Sequence, residues 1–216
     1  MKTIYLIRHG QTEFNKLKLV QGSGIDSNLN EVGWLQSEAF FGKYQSVSFD
    51  KTYTSKLKRT HQTVRRFVEQ GVDWEQLVGL NEISWGEKEG RIITAADDNR
   101  YFEMLNAWRT GDWDWKEVGG ESPLEVQARQ ITAWNHIMSQ TEESTVLVCM
   151  HGRAIRILLC YLLDVSLSEM DDFSHGNTCL YLLEFDGKKY HLKKTNDQSH
   201  LDGIELEISD RKTELK

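Results

Sequence analysis

The chain has 216 residues, 39% of them hydrophobic and 27% charged, and a formal net charge of −7. That is the make-up of one soluble domain with a sizeable core, and the acidic balance argues against nucleic acid as a general partner. Three cysteines, Cys149, Cys160 and Cys179, without CxxC spacing point to reduced thiols in a cytoplasmic protein. Arg8 cuts the first apolar run too short for a signal peptide, and no stretch approaches the ~20 apolar residues of a membrane span.

Taken in order, residues 3–7 (TIYLI) predict a continuously apolar strand of a parallel sheet covered on both faces. A helix should start near Thr12, after a turn at Gly10. Residues 31–45 predict a helix with Val32, Leu35, Ala39 and Phe40 on its buried side. A short strand at Lys51–Thr54 precedes a helix at 57–69, and Leu77–Leu80 is apolar enough for another strand. Residues 83–120 are Trp-rich, with a helical piece near 95–109. Ser122-Pro123-Leu124-Glu125 combines a capping serine, a first-turn proline and a capping-box acid, opening a helix to about Gln140. Residues 145–150 (TVLVCM) predict a second buried strand and 153–163 a helix, and Ser166 to Glu169 repeats the capping-box spacing. A hairpin at 178–185 and 189–194 turns at Asp186-Gly187. Asp97-Asp98 and Asp171-Asp172 read as solvated helix ends, and the acidic stretch after 202 as a loosely ordered terminus. Alternating strands and helices give an α/β class with a mostly parallel sheet, α/β/α in three layers.

Two segments share one pattern: IYLIRHGQT and VLVCMHGRAI each run from an apolar strand through His-Gly into a helix start. Parallel strands deliver their carboxyl ends to one edge of the sheet, so His9 and His151 should meet there. Gly10 and Gly152 permit tight turns, and the helix starts favour an anion. In TYTSKLKRTHQT, Arg59 falls early in a helix that follows a strand. Arg8 and Arg59 then add two planar guanidinium forks suited to phosphate oxygens. A single histidine after a strand is more often a satisfied structural residue; the repetition is what calls for chemistry. Neither histidine has metal-site spacing.

These residues resemble the histidine phosphatase superfamily, also called the phosphoglycerate mutase-like family. RHGQTEFN at 8–15 is similar to its RHGxTxxN signature, and SKLKRTHQT at 55–63 to SxLxRxxQT. QGSGIDSNLNEVGWLQSEAF at 21–40, LNEISWGEKEG at 80–90, GGESPLEVQAR at 119–129 and VLVCMHGRAIR at 146–156 complete the series in the family's order. The resemblance implies one histidine phosphatase domain over 1–216 with a lid-like insertion at about 83–120. It implies that His9 is the nucleophile, that Arg8, Arg59 and His151 hold the phosphoryl group with Asn15 assisting, and that Glu82 is the general acid. Gln21 and Gly22 would lie at the pocket rim, with Gly152 at the phosphate. No cofactor or metal is implied. The expected partner is a small phosphorylated metabolite, with no nucleic acid and no membrane; a homodimer is allowed.

Phosphoryl transfer asks mainly for positioning and charge stabilisation, which two guanidinium groups and a second imidazole supply. Three rivals remain. Cys149 might suggest a cysteine-dependent phosphatase, but six residues rather than five separate it from Arg156, and it lies inside an apolar strand. A phosphoglycerate mutase would carry a longer, more basic insertion than 83–120, whose cations are scattered. A binding protein on the same fold would be expected to have lost a catalytic residue. The remaining histidines, His61, His136, His175, His191 and His200, are expected on the surface or on helix faces, and the four tryptophans from 85 to 115 serve either as a lid or as core.

Overall fold

The apolar runs pair into a single six-stranded sheet. Its strands are β1 (Lys2–Arg8), β2 (Lys51–Thr54), β3 (Trp74–Gln76), β4 (Thr145–Met150), β5 (Leu180–Phe185) and β6 (Tyr190–Asp197), in the order β3-β2-β4-β1-β5-β6. The first four in that order are parallel, β5 runs antiparallel to β1, and β6, antiparallel to β5, runs in the direction of the first four. This computed structural model describes residues 1–91 and 95–203, the side chains of 95–98 excepted. The acidic stretch from 204 onward and the side chains of Asp97 and Asp98 therefore lie outside the described residues.

Side-chain alternation along the strands feeds two helical layers. On one face Ile4, Leu6, Val146, Val148 and Met150 pack against Trp134 and Ile137 of α5 (Pro123–Ser139) and Ile155, Leu158 and Leu159 of α6 (Gly152–Leu163). On the other, Ile7, Leu147, Cys149 and Leu180 meet Phe40 and Phe41 of α2 (Glu31–Tyr44) and Val64 and Phe67 of α3 (Lys58–Glu69). Each such fully buried side chain contributes about 1.5–3 kcal/mol. The layers hold β1 and β4 rigid, and their register sets Arg8 beside Met150. The residues that follow, His9 and His151, thus leave the sheet side by side.

The cap signals act as the sequence predicts. Ser122 and Glu125 make a reciprocal capping box with Pro123 in the first turn, and Thr12 caps the single turn of α1 (Glu13–Lys16) with Asn15. Two expectations need correction. Leu77–Leu80 is not a strand: Val78–Leu80 forms a 3₁₀ turn, and β3 lies just before it. Leu77 and Leu80 bury their side chains against α5-side core without entering the sheet. In α2 the buried face is Gly33, Gln36, Ser37, Phe40, Phe41 and Tyr44, whereas Leu35 is exposed. The helix turns this way because Gln36 Oε1 accepts the Gln11 N–H at 2.8 Å and tethers α2 to the loop after β1.

The described residues of 83–120 contribute to a small third core. Met104 and Trp108 of α4 (Ala95–Arg109) join Ile83, Val126, Ile157, Cys160, Leu167 and Met170, with Trp85, Trp113 and Trp115 around them. Trp108 Nε1 donates to the Trp115 carbonyl and Trp113 Nε1 to the Trp108 carbonyl. Trp108 and Trp113 therefore have their polar ends satisfied, and the tryptophans pack as core.

Candidate active site

His9 extends the β1 ladder, its N–H donating to the Met150 carbonyl at 3.0 Å. Its Nδ1 lies 2.7 Å from the Gly10 carbonyl, so Nδ1 carries the proton and Nε2 keeps its lone pair. Burial, reinforced by the Arg59 and Arg8 charges, holds its pKa well below the usual histidine range. His9 is a neutral imidazole with one free nitrogen, the form a nucleophile requires.

His151 sits beside it, with the ring centroids 5.1 Å apart. Its Nδ1 accepts from Arg59 Nε at 3.2 Å, which leaves Nε2–H to donate to Ser55 Oγ at 2.8 Å. Burial, then Arg59, keeps this imidazole neutral as well. Arg59 is fully buried on α3. Besides His151 it donates to the Ile25 carbonyl through Nη1 and to the Gly22 carbonyl through Nη2. Three of its five N–H groups are thereby used, and two remain. Burial lowers its pKa to about 10, so it stays charged at neutral pH. Arg8 anchors Nη1 on the His175 carbonyl at 2.6 Å, while its buried Nε has no partner among the described residues.

Glu82 arrives from the loop after β3. Its Oε1 accepts the Ile83 and Ala154 N–H groups, each at 2.9 Å, and Oε2 accepts Arg153 N–H at 3.1 Å. The carboxylate thus lies on the open first turn of α6, where the helix dipole favours an anion. Arg129 of α5 fixes the segment that carries it, donating to the carbonyls of Gly79, Asn81 and Glu82 at 2.9 Å each. A side chain at Gly22 would meet the Ile83 carbonyl at 2.6 Å and Glu89 Oε1 at 2.2 Å, so only glycine lets this loop close on Arg59.

The sequence-predicted residues divide into groups. His9, His151, Arg8, Arg59 and Glu82 converge at the carboxyl edge of the sheet, with Gly152 beginning α6 and Gly22 beside Arg59. Asn15 stands at the margin: Oδ1 receives the Thr12 N–H and the Asn177 amide. Gln21 is spent on the loop, accepting from Thr12 Oγ1 and donating to Ser27 Oγ. Cys149 is fully buried and its thiol pKa is pushed well above the ordinary range by burial, so it has no nucleophilic character. Among the described residues no three His, Cys, Asp or Glu side chains gather as a metal site.

Several participants escaped sequence reasoning. Ser55, the first residue of the SKLKRTHQT segment, orients His151. Asn177 Nδ2 donates to the His9 carbonyl at 3.0 Å, as does Thr178 N–H at 3.4 Å. Of the histidines expected on the surface or on helix faces, His200 is buried and His175 is half-buried. His200 Nε2 lies 2.9 Å from Thr178 Oγ1. His175 packs against Gly152 and Arg8, where a Cβ on Gly152 would meet its Cδ2 at 2.4 Å.

The histidine phosphatase superfamily (branch 1) profile matches residues 4–198. The chain belongs to this superfamily. It is 26% identical to a phosphoserine phosphatase of Entamoeba histolytica in complex with 3-phosphoglyceric acid, with a TM-score of 0.81 over 93% of this chain and 100% of that one. A mycobacterial glucosyl-3-phosphoglycerate phosphatase bound to VO3 is 27% identical, with a TM-score of 0.76 over 91% and 99%. A 2,3-bisphosphoglycerate-dependent phosphoglycerate mutase of Brucella ovis is 30% identical over 169 residues, 74% of this chain and 81% of the mutase. The superfamily match and these neighbours fit the α/β/α architecture with its mostly parallel sheet. No helix among the described residues is long and apolar enough to cross a membrane.

Proposed function

We propose that His9 attacks the phosphorus of a small phosphomonoester to form a phosphohistidine, which water then hydrolyses. The protein is a phosphatase of the histidine phosphatase superfamily, and its substrates are small phosphorylated metabolites. What carries the mechanism is the tautomer of His9, whose Nδ1 is tied to the Gly10 carbonyl and whose Nε2 is left free between two arginines.

Arg8 and the two remaining Arg59 N–H groups take the non-bridging oxygens. An incoming phosphoryl oxygen competes with neutral His151 for the Arg59 Nε–H and, being charged, wins it. That exchange frees His151 Nδ1 to accept a hydrogen bond from the P–OH of a monoanionic phosphomonoester. Glu82 acts in its protonated form: Oε2, which accepts one N–H where Oε1 accepts two, gives the proton to the leaving oxygen, and the carboxylate so formed takes one from the attacking water. The guanidinium groups supply the charge stabilisation, so no step needs a cofactor. The fold acts as one domain, with the insertion at about 83–120 packed beside the site.

Hydrolysis is preferred to mutase transfer because the cations of 83–120 are scattered and two of them are committed elsewhere. Arg100 is held by Glu117 and Lys116 by Glu125. The deciding experiment is p-nitrophenyl phosphate turnover in EDTA for the native chain and His9→Ala, together with 3-phosphoglycerate assayed both for released phosphate and for 2-phosphoglycerate. Turnover that survives His9→Ala unchanged rejects the nucleophile, and isomerisation exceeding phosphate release rejects hydrolysis.

A further inference from the structure

Next to the phosphate pocket lies a second group of cations that the mechanism above does not use. Arg153 and Arg156 project from the first two turns of α6, directly after His151. Arg153 Nη1 donates to Asp171 Oδ1 at 2.5 Å and Nη2 to the Tyr101 hydroxyl at 3.1 Å, and its guanidinium lies 5.4 Å from the Trp108 ring centre. Arg156 Nη1 also donates to Asp171 Oδ1. Two guanidinium groups thus share one oxygen of one carboxylate, which leaves a positive charge over. Arg156 Nε is buried with no partner among the described residues. The Arg153 and Arg156 side chains are 7% and 13% exposed, whereas Asp171 is 41% exposed, so Asp171 is the accessible member.

His175 joins this group to the phosphate pocket. Its carbonyl receives Arg8 and its ring packs on Gly152. Neither ring nitrogen hydrogen-bonds a described residue. Burial, followed by Arg8, Arg156 and Arg153, keeps it neutral. In an acidic chain, a buried surplus of positive charge this close to the site calls for an anion, because uncompensated buried charge is costly.

We propose that Arg153, Arg156 and His175 form a subsite for a carboxylate on the leaving group, so that the preferred substrates are small phosphomonoesters that also bear a carboxylate. The subsite deepens the phosphatase reading and rests on it for the position of the phosphate. A carboxylate fits the one spare charge, and a second phosphate would exceed it. A guanidinium fork receives a carboxylate in bidentate fashion, and Asp171 yields one of the two arginines to it. Tyr101 and Trp108 of α4 roof the subsite, which confines it to short leaving groups.

The test compares 3-phosphoglycerate with glycerol 3-phosphate, which differ in a carboxylate against a hydroxymethyl group. Affinity is read by calorimetry on the His9→Ala chain, and kcat and KM on the active chain. The native protein should favour 3-phosphoglycerate by about tenfold or more in both affinity and kcat/KM, the value of one charge-assisted contact. Arg153→Gln should bring that ratio to near one through KM, with Arg153→Lys between. Asp171→Asn removes the competing carboxylate at an exposed position and should raise the ratio, whereas a merely structural ion pair would leave it unchanged or lower. If Arg153→Gln fails to fold, the opposite-signed Asp171→Asn result still decides. Equal affinities for the two ligands, or an unchanged ratio in Asp171→Asn, overturns the subsite even if the chain hydrolyses both. A strong binding preference without turnover of any monoester sinks the phosphatase reading and leaves the subsite standing.

Discussion

His200 lies outside the catalytic group, yet it should contribute a measurable share of the acid sensitivity of this protein. Thr178 Oγ1 donates to the Asn177 carbonyl, so the proton shared with His200 belongs to Nε2, and the Nδ1 lone pair is buried without a partner among the described residues. A second proton would have to sit on that enclosed Nδ1. Burial, then Lys43, accordingly lowers the His200 pKa to about 4. The unfolded chain takes up this proton near pH 6.5, whereas the folded one resists until about pH 4. Stability is therefore intact above pH 6.5 and falls as the pH drops through that window. At 1.36 kcal/mol per unit the loss is about 3 kcal/mol, a large fraction of a typical domain's margin. Urea unfolding from about pH 7 to about pH 4.5 should show the native chain losing that much more than His200→Gln, which can still donate to Thr178. The other buried histidines, common to both proteins, cancel in the difference. Parallel curves would show that His200 is protonated in the folded protein and refute the reasoning.

Three further outcomes follow from the site. Glu82→Gln should cost about 10²–10⁴ in kcat on alkyl monoesters and much less on p-nitrophenyl phosphate, whose leaving group needs no proton; equal losses on both would remove Glu82 from the acid role. Gly152→Ala drives a methyl into the His175 ring and toward Arg8 Nε, 3.3 Å away, and should raise KM through displacement of Arg8 while the fold survives, as a thermal melt would confirm. The acid limb of kcat/KM should fall below pH 6.5, because both His9 and His151 stay neutral to lower pH, and a limb centred at or above 6.5 would contradict that.

Much of this arrangement could be read from the chain alone, for a physical reason. Charged groups at the end of a buried strand are costly, so Arg8-His9 and His151 announce themselves against TIYLI and TVLVCM, and Ser122 with Glu125 announces α5. Local chemistry of that kind survives in the sequence. What did not survive is chemistry created by long-range placement. Asn177 reaches the His9 carbonyl from 168 residues away, and Ser55 reaches His151 from 96 away. His175 and His200 carry no spacing signal, because their neighbours are assembled by the return of the chain through β5 and β6. Leu35 misled for the same reason: a tether from Gln36 to Gln11, invisible to periodicity, sets the rotation of α2.

The position of β1 bears on how the chain is made. It is made before both its partners, β4 at Thr145–Met150 and β5 at Leu180–Phe185, which follow it at long range in the chain. While the ribosome adds those residues, an apolar ribbon with two open edges waits unpaired, the condition under which nascent chains stick to one another. Slow folding governed by non-local pairing is expected, along with dependence on holding factors during translation. Moving Met1–Arg8 behind β6 by circular permutation would shorten that wait.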